Sequence, residues 1–398
     1  MSYLCSSECE RYMKLRYTIF YLLIIFLCAC TQNSSLQGIR IVSWGGIPAE
    51  NADTLYSLAR ECGFDTHLGL YRLQESALAS MDAAERAGMR IIISFPQIKD
   101  STEVAVPLIK EHPALLAYHL KDEPDTSDFA MLKELQEKVK SIDPEHPCYI
   151  NLFPNWAWGE EEYVEKLELF ASSIDVPFYS FDHYPIIEVD GKVFVRPQWY
   201  RNLEEFSAMA KKHNKPFWGF ALATTHSIVE SEETYYPEPT LGQIRLQVFS
   251  NLLYGAQAIQ YFTFAGIVDS KTLQKKQAFE IIRHVNSEIH AYSDVFAGCK
   301  VLGVWHTGDT IPSHTRRLTE MPHRKLKSLE ISGKGAVVSL IENNGNTYLA
   351  VQNRDPENEA VLKSSFNGGV KVVNSDKEHR HDYIHTVIEP GNIIIYKL

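Results

Sequence analysis

Two short segments of this 398-residue chain carry side chains able to hold and move protons: His119-Leu120-Lys121-Asp122-Glu123-Pro124 and Asp182-His183-Tyr184-Pro185. Each closes an apolar run, so its polar groups sit where a buried strand comes up for solvent. Two acids in tandem at such a point are poor candidates for ordinary solvated residues. Pro124 biases the residue before it toward an extended backbone, which would aim the Glu123 side chain. Beside Asp122 and partly removed from water, Glu123 is expected to hold its proton well above the usual carboxylate range, as a general acid must. The competing reading makes the segment a helix N-terminus, with Pro124 and Asp125 opening the next helix.

The elements that would position these groups repeat. Between Gly38 and about Ala291, short apolar runs alternate with amphipathic stretches eight times, with strands expected at 39–46, 65–72, 90–97, 115–124, 147–155, 176–185, 216–225 and 258–266. The runs are rich in β-branched and aromatic residues and have the length of buried parallel strands. Helical patterns cover 51–62 and 76–87, closed by Gly63 and Gly88, and also 127–141 and 161–172. Eight β-then-α units predict a closed (β/α)8 barrel over 38–295, because an open sheet would leave two edges to cover. An open doubly wound sheet is the alternative, but Trp44-Gly45-Gly46-Ile47-Pro48 after the first strand is no phosphate loop. Past Lys300 only short alternating runs broken by Gly and Asn turns remain, which predicts a small all-β sandwich over 300–398.

In such a barrel the site forms at the C-terminal strand ends. Reading those ends gives Trp44, Tyr71, His119, Asp122, Glu123, Asn151, Asp182, His183, Tyr184 and His226, with Trp156 in the loop after the fifth strand. Rings, amides, imidazoles and carboxylates gathered in this way suit a sugar, whose apolar faces stack on rings and whose hydroxyls need partners. The histidines have no H-x-H or H-x-x-x-H spacing, so no metal and no cofactor is expected. Trp218, in mid-strand, reads as core.

The Asp122-Glu123-Pro124 segment resembles the Asn-Glu-Pro or Asp-Glu-Pro signature of clan A glycoside hydrolases. Asp175-Val176 through Phe181-Asp182-His183-Tyr184-Pro185 is similar to the strand-six element of β-galactosidase-like barrels, and Gly255-Ala256-Gln257-Ala258-Ile259-Gln260-Tyr261-Phe262 resembles the segment entering their eighth strand. The resemblance implies a glycosidase acting on an oligo- or polysaccharide, with Glu123 as acid/base. It also implies a second carboxylate at the end of strand seven, where 216–226 contains no acid at all. Asp182 is the preferred substitute, as the base of an inverting mechanism, with Glu232, Glu233 and Glu238 as loop alternatives. A non-catalytic glycan-binding protein that has lost its nucleophile is the competing function.

The formal net charge of −11 and the lack of a Lys/Arg-rich run argue against nucleic acid. Met13-Lys14-Leu15-Arg16 followed by the apolar 17–27 reads as a secretory leader, the first twelve residues preceding it as an upstream extension. Leu27-Cys28-Ala29-Cys30 resembles a bacterial lipobox. By that resemblance residues 1–30 are a signal peptide, Cys30 carries lipid, 31–37 is a linker, and the protein sits on the cell envelope. Cys62, Cys148 and Cys299 have no disulfide or zinc spacing and read as buried thiols.

Overall fold

The computed structural model describes residues 38–227, 234–374, 378–379 and 384–398. The leader, Cys30, Glu232 and Glu233 therefore lie outside the described residues. Eight parallel strands close a barrel: Arg40–Trp44, Thr66–Leu70, Arg90–Ser94, Leu115–Asp122, Cys148–Leu152, Tyr179–Phe181, Phe217–Leu222 and Ala258–Phe262, the first pairing with the eighth. All eight fall inside the predicted runs but are shorter, since the strand-end residues have left the ladder to form the mouth. Helices such as Ala52–Glu61 and Gln74–Arg86 shield the outside, and Gly63 and Gly88 take positive φ just beyond them. The interior is filled by rings rather than left as a pore: Trp44, Tyr149, Trp218 and Phe220 are buried there, with Phe178 stacked on Trp218 at 3.8 Å.

The loops after the sixth and seventh strands build a sheet that the apolar runs do not announce. Ile186–Val189 and Lys192–Val195 form a hairpin, and Thr234–Tyr236 and His226–Ser227 extend it to four antiparallel strands. Asp190 and Gly191 both take positive φ in its two-residue turn, the conformation that favours Asp-Gly there.

Beyond the barrel, the chain forms a β-sandwich. One sheet has the order Lys300–His306, Ala336–Asn343, Asn346–Asn353, Ile393–Lys397, Val370–Val372, Glu378–His379; the other has Leu326–Ile331, Ala360–Phe366, Ile384–Ile388. Ala360–Phe366 and Glu378–His379 are not among the alternating runs legible past Lys300. Asn344-Gly345 makes the expected tight turn, with Asn343 opposite Asn346. Alternation along Ala336–Asn343 serves two cores at once. Val338 and Leu340 face the sandwich interior, whereas Val337 and Ile341 join the hydrophobic cluster of the barrel helices. Between barrel and sheet runs the helix Leu241–Leu253, started by a Thr240/Gln243 capping box and buried from Gly242 to Leu253. Polar groups bridge this layer: Ser339 Oγ donates to Leu253 O at 2.8 Å, and Gln352 Nε2 donates to Gly391 O at 3.0 Å.

Candidate active site

Strands four, five and six bring Asp122, Glu123, Asn151 and Asp182 together. Asn151 forms the middle of the group. Its amide nitrogen donates to Asp122 Oδ1 at 3.1 Å and to Asp182 Oδ1 at 2.9 Å, and its oxygen accepts from Ser180 Oγ at 2.8 Å. Below it, Gln260 on the eighth strand donates to Ser180 Oγ at 2.8 Å and accepts from the Tyr149 hydroxyl at 2.8 Å. This chain of bonds crosses the barrel interior and leaves the Asn151 amide no freedom to turn. Both of its protons are committed to the two carboxylates.

Glu123 occupies the left-handed region, with φ 45°, instead of the extended backbone that Pro124 predicts. A non-glycine residue there costs about 1 kcal/mol or more. The strand shows how the position is imposed. Pairing between strands four and five slips by one residue between His119 and Lys121, and Glu123 N donates to Asn151 O at 2.9 Å. The bulge and that bond turn the chain sharply at its last anchored residue. Helix capping falls to Asp125, which forms a capping box with Asp128, so Glu123 is not spent as a cap.

The Glu123 and Asp182 carboxyl groups lie close enough to act on each other's protonation. Burial together with mutual repulsion makes a proton on such a pair hard to lose. Desolvation first, then the charge of Asp122, pushes Glu123 up to about 7, against the opposing pull of Asp182. Asp182 is raised well above the carboxylate range by burial and then by its two acidic neighbours. Asp122 is raised by desolvation despite the bond from Asn151. Yet Asp122 is open to solvent, and Glu123 and Asp182 are only half-buried. Groups that are well surrounded by protein but still reachable from outside line a concavity.

Asp182, the preferred second carboxylate, lies in the same acid cluster as Glu123. An inverting base stands about 6.5–9.5 Å from the acid to admit a water. Among the alternatives, Glu238 is exposed. Strand seven ends in Leu222, whose N–H is taken by Gln247 Oε1 at 2.9 Å.

The remaining predicted residues divide. Tyr184 lies against Phe262 and Tyr236, 5.8 and 5.6 Å between ring centroids, and its hydroxyl is raised by burial and then by Asp182, Asp122 and Glu123. His226 is exposed and stacks parallel to Tyr236 at 6.2 Å. Both therefore belong to the mouth. Trp44 and His119 lie deeper, edge to face at 5.7 Å. Burial pushes His119 down to about 3, so it is neutral, and both its ring nitrogens lack partners.

Tyr71 is a correction: its hydroxyl meets Ser80 and donates to Ile47 O at 3.1 Å, so the ring turns outward onto a helix instead of into the cup. His183 likewise turns away, pairing Nδ1 with Asn202 Oδ1 at 2.8 Å and lying edge-on to Trp199. His67 bonds Ser43 at 2.9 Å and contacts Tyr56 on the outer helix Ala52–Glu61. The histidines thus face different layers. Among the described residues, a cluster of metal-ligand type occurs only at Asp82, Glu85 and His112 on the outer surface. There the backbone N–H of Ala114 donates to His112 Nδ1, so the proton of the neutral ring stands on Nε2, toward Asp82.

Trp156, in the short helix Asn155–Trp158, is half-buried with Arg196 over its ring at 4.3 Å. Arg196 and Tyr236 were not singled out from sequence. Both come from the antiparallel sheet beside the mouth, and the signal that reveals it is the Asp190-Gly191 turn between alternating runs. The network residues Tyr149, Ser180 and Gln260 were hidden inside runs that read as plain core.

Residues 106–303 match the family model of glycoside hydrolase family 42, described as β-galactosidase. A search of curated proteins gives no match. The folded chain is similar to a glycoside hydrolase family 30 subfamily 8 xylanase from Clostridium acetobutylicum, with TM-score 0.47 and 10% identity over 90% of this chain and 95% of that one. It is also similar to a family 99 endo-α-mannosidase from Bacteroides thetaiotaomicron (TM-score 0.43, 13% identity, 61% and 84% covered). A family 10 xylanase from Thermobacillus composti aligns with TM-score 0.40 and 10% identity over 62% and 97% of the two chains. From the fourth strand to the start of the sandwich, then, the sequence is similar to the family 42 glycoside hydrolases.

Proposed function

We propose that this protein is a glycoside hydrolase in which Glu123 donates a proton to the glycosidic oxygen. The observation that carries the reading is the cluster of Glu123 with Asp122 and Asp182 about Asn151, in which burial and like charge raise Glu123 to about 7. A general acid works best when its pKa lies near the working pH, so that it is still protonated yet willing to give the proton up. Asp182, the second carboxylate of the cluster, is the preferred base for the attacking water. Asp122 keeps the pKa high by its charge, and Asn151 fixes both aspartates so that the pair cannot drift apart. Tyr184, Tyr236 and Phe262 offer ring faces beside the acids for a sugar. The similarity of residues 106–303 to a glycosidase family supports the same reading.

The test is direct. The purified full chain, incubated with a panel of oligo- and polysaccharides, releases new reducing ends from at least one; Glu123→Gln lowers that rate by a hundredfold or more, in keeping with the size of general acid catalysis. Turnover unchanged in Glu123→Gln refutes the assignment. A second reading, a glycan-binding protein without turnover, is favoured by the acid-free end of strand seven. It predicts retention on a glycan with no product after days. The leader supports attachment to the envelope through lipid on Cys30, and loss of labelled-lipid incorporation in Cys30→Ala tests it.

A further inference from the structure

Arg196 holds a position that the proton-donating site does not use. It follows the hairpin Ile186–Val195, tied there by its own N–H to Pro185 O at 2.7 Å. Its guanidinium lies over Trp156 at 4.3 Å and over Tyr236 at 5.6 Å, with Nη2 donating to the Tyr236 hydroxyl at 3.3 Å. Nε is buried without a partner, and the neighbouring Trp156 Nε1 is a second buried donor without one. Among the described residues the ion pairs include none to Arg196, although Asp182 and Glu123 act on the Tyr236 ring beside it. Tyr236 feels the charge of Arg196 on one side and of Asp182 and Glu123 on the other.

A cation sandwiched between rings is held in place but not neutralised. Stacking keeps the flat fork rigid, and a guanidinium is weakly hydrated, so its outer edge presents donors already spaced for a planar carboxylate. The chain's net charge of −11 repels anions in general, which makes a cation with no ion pair among the described residues a selective feature rather than a background one. A purely structural peg between two rings would need no charge there, and a partly desolvated cation without a counter-charge is a cost that an arriving anion offsets.

Resting on the glycosidase reading, we propose that Arg196 and Trp156 form a subsite for the carboxylate of a uronic acid residue, next to the sugar that Glu123 protonates. The substrate class is then an acidic glycan. Retention of the full-length protein on pectate, alginate and glucuronoxylan is compared with retention on the same polymers after their carboxyl groups have been reduced to alcohols. The comparison is run at 0.15 M salt, where long-range repulsion is screened. At least one polyuronide binds wild type roughly ten- to hundredfold more tightly than its reduced form, the range of one charge-assisted fork. Arg196→Gln collapses that ratio to near one, and Arg196→Lys retains part of it. A structural role would weaken both ligands alike and leave the ratio standing. The proposal is overturned if no polyuronide is preferred over its reduced form, if the ratio survives in Arg196→Gln, or if sulfated neutral glycans bind better than any polyuronide. Release of reducing ends is followed in parallel with Glu123→Gln. Cleavage of neutral glycans without polyuronide preference removes the subsite and keeps the hydrolase; preference without cleavage does the reverse.

Discussion

Replacing Asp122 with Asn removes one negative charge from beside Glu123 while leaving its shape and its bonding nearly intact. The new amide oxygen can still accept from Asn151, as Oδ1 of Asp122 does at 3.1 Å. Only the electrostatic contribution of Asp122 to Glu123 is lost, and that contribution raises the Glu123 pKa. Two unit charges about 6 Å apart interact by about 0.7 kcal/mol in water and about 2.8 kcal/mol at an effective dielectric of 20, or about half to two pKa units at 1.36 kcal/mol each. Asp122→Asn should therefore lower the Glu123 pKa from about 7 by that amount. It should not return it to the ordinary value, because desolvation is the larger cause and is untouched. Carboxyl carbon chemical shifts of 13C-Glu protein, titrated from pH 3 to 10, read the pKa directly. The alkaline limb of kcat/KM against pH should move toward acid by the same interval. A wild-type Glu123 titrating near 4.5, or a variant whose pKa rises or stays fixed, would refute the electrostatic account of the site.

Three further outcomes follow from the same structure. Because folding raises the Glu123 pKa, its ionisation opposes the fold. The penalty is absent below about pH 4.5, grows as pH rises, and is complete above about 7. The full difference corresponds to about 3.4 kcal/mol, which partial exposure reduces to about 1–2 kcal/mol. Glu123→Gln should match wild type at pH 4 and exceed it by that margin at pH 8.5 in urea unfolding. Asn151→Ala leaves Asp122 and Asp182 without their shared donor and Ser180 without its acceptor, and should cost about 2–4 kcal/mol at neutral pH; an unchanged midpoint would mean the amide bridge is not formed. A Cβ on Gly219 would come 2.0 Å from Asn251 Oδ1, whose amide also holds Phe220 O at 3.1 Å. Gly219→Ala should thus lower stability by about 1–3 kcal/mol as the helix is pushed off the seventh strand, seen as a drop in Tm.

The barrel was legible because parallel strands buried on both faces leave continuous apolar runs, and eight of them in a row have few other solutions. The acid cluster was legible because strand ends four, five and six are neighbours in a barrel, so Glu123, Asn151 and Asp182 must converge. Side-chain direction was not. Tyr71 and His183 sit at strand ends like the others, but which way they point depends on register and on local packing, such as the Gly69 beneath the Tyr71 ring. The conformation of Glu123 depended on a bulge between His119 and Lys121, which no hydrophobic pattern reveals. Arg196 was missed for a different reason: its hairpin has a clear Asp190-Gly191 signal, but it lies inside what a barrel reading treats as a loop. The strand Ala360–Phe366 escaped in a similar way, its Lys363-Ser364-Ser365 stretch masking the alternation.

The helix Leu241–Leu253, packed on the seventh strand on one side and on the sandwich on the other, makes the two architectures thermodynamically inseparable. Severing the chain near residue 300 would strand Val337 and Ile341 on one fragment and uncover apolar barrel helices on the other. Neither fragment could hide that surface alone. Calorimetry should accordingly record one endotherm for the whole molecule, and a barrel expressed by itself should come out of the cell as insoluble protein.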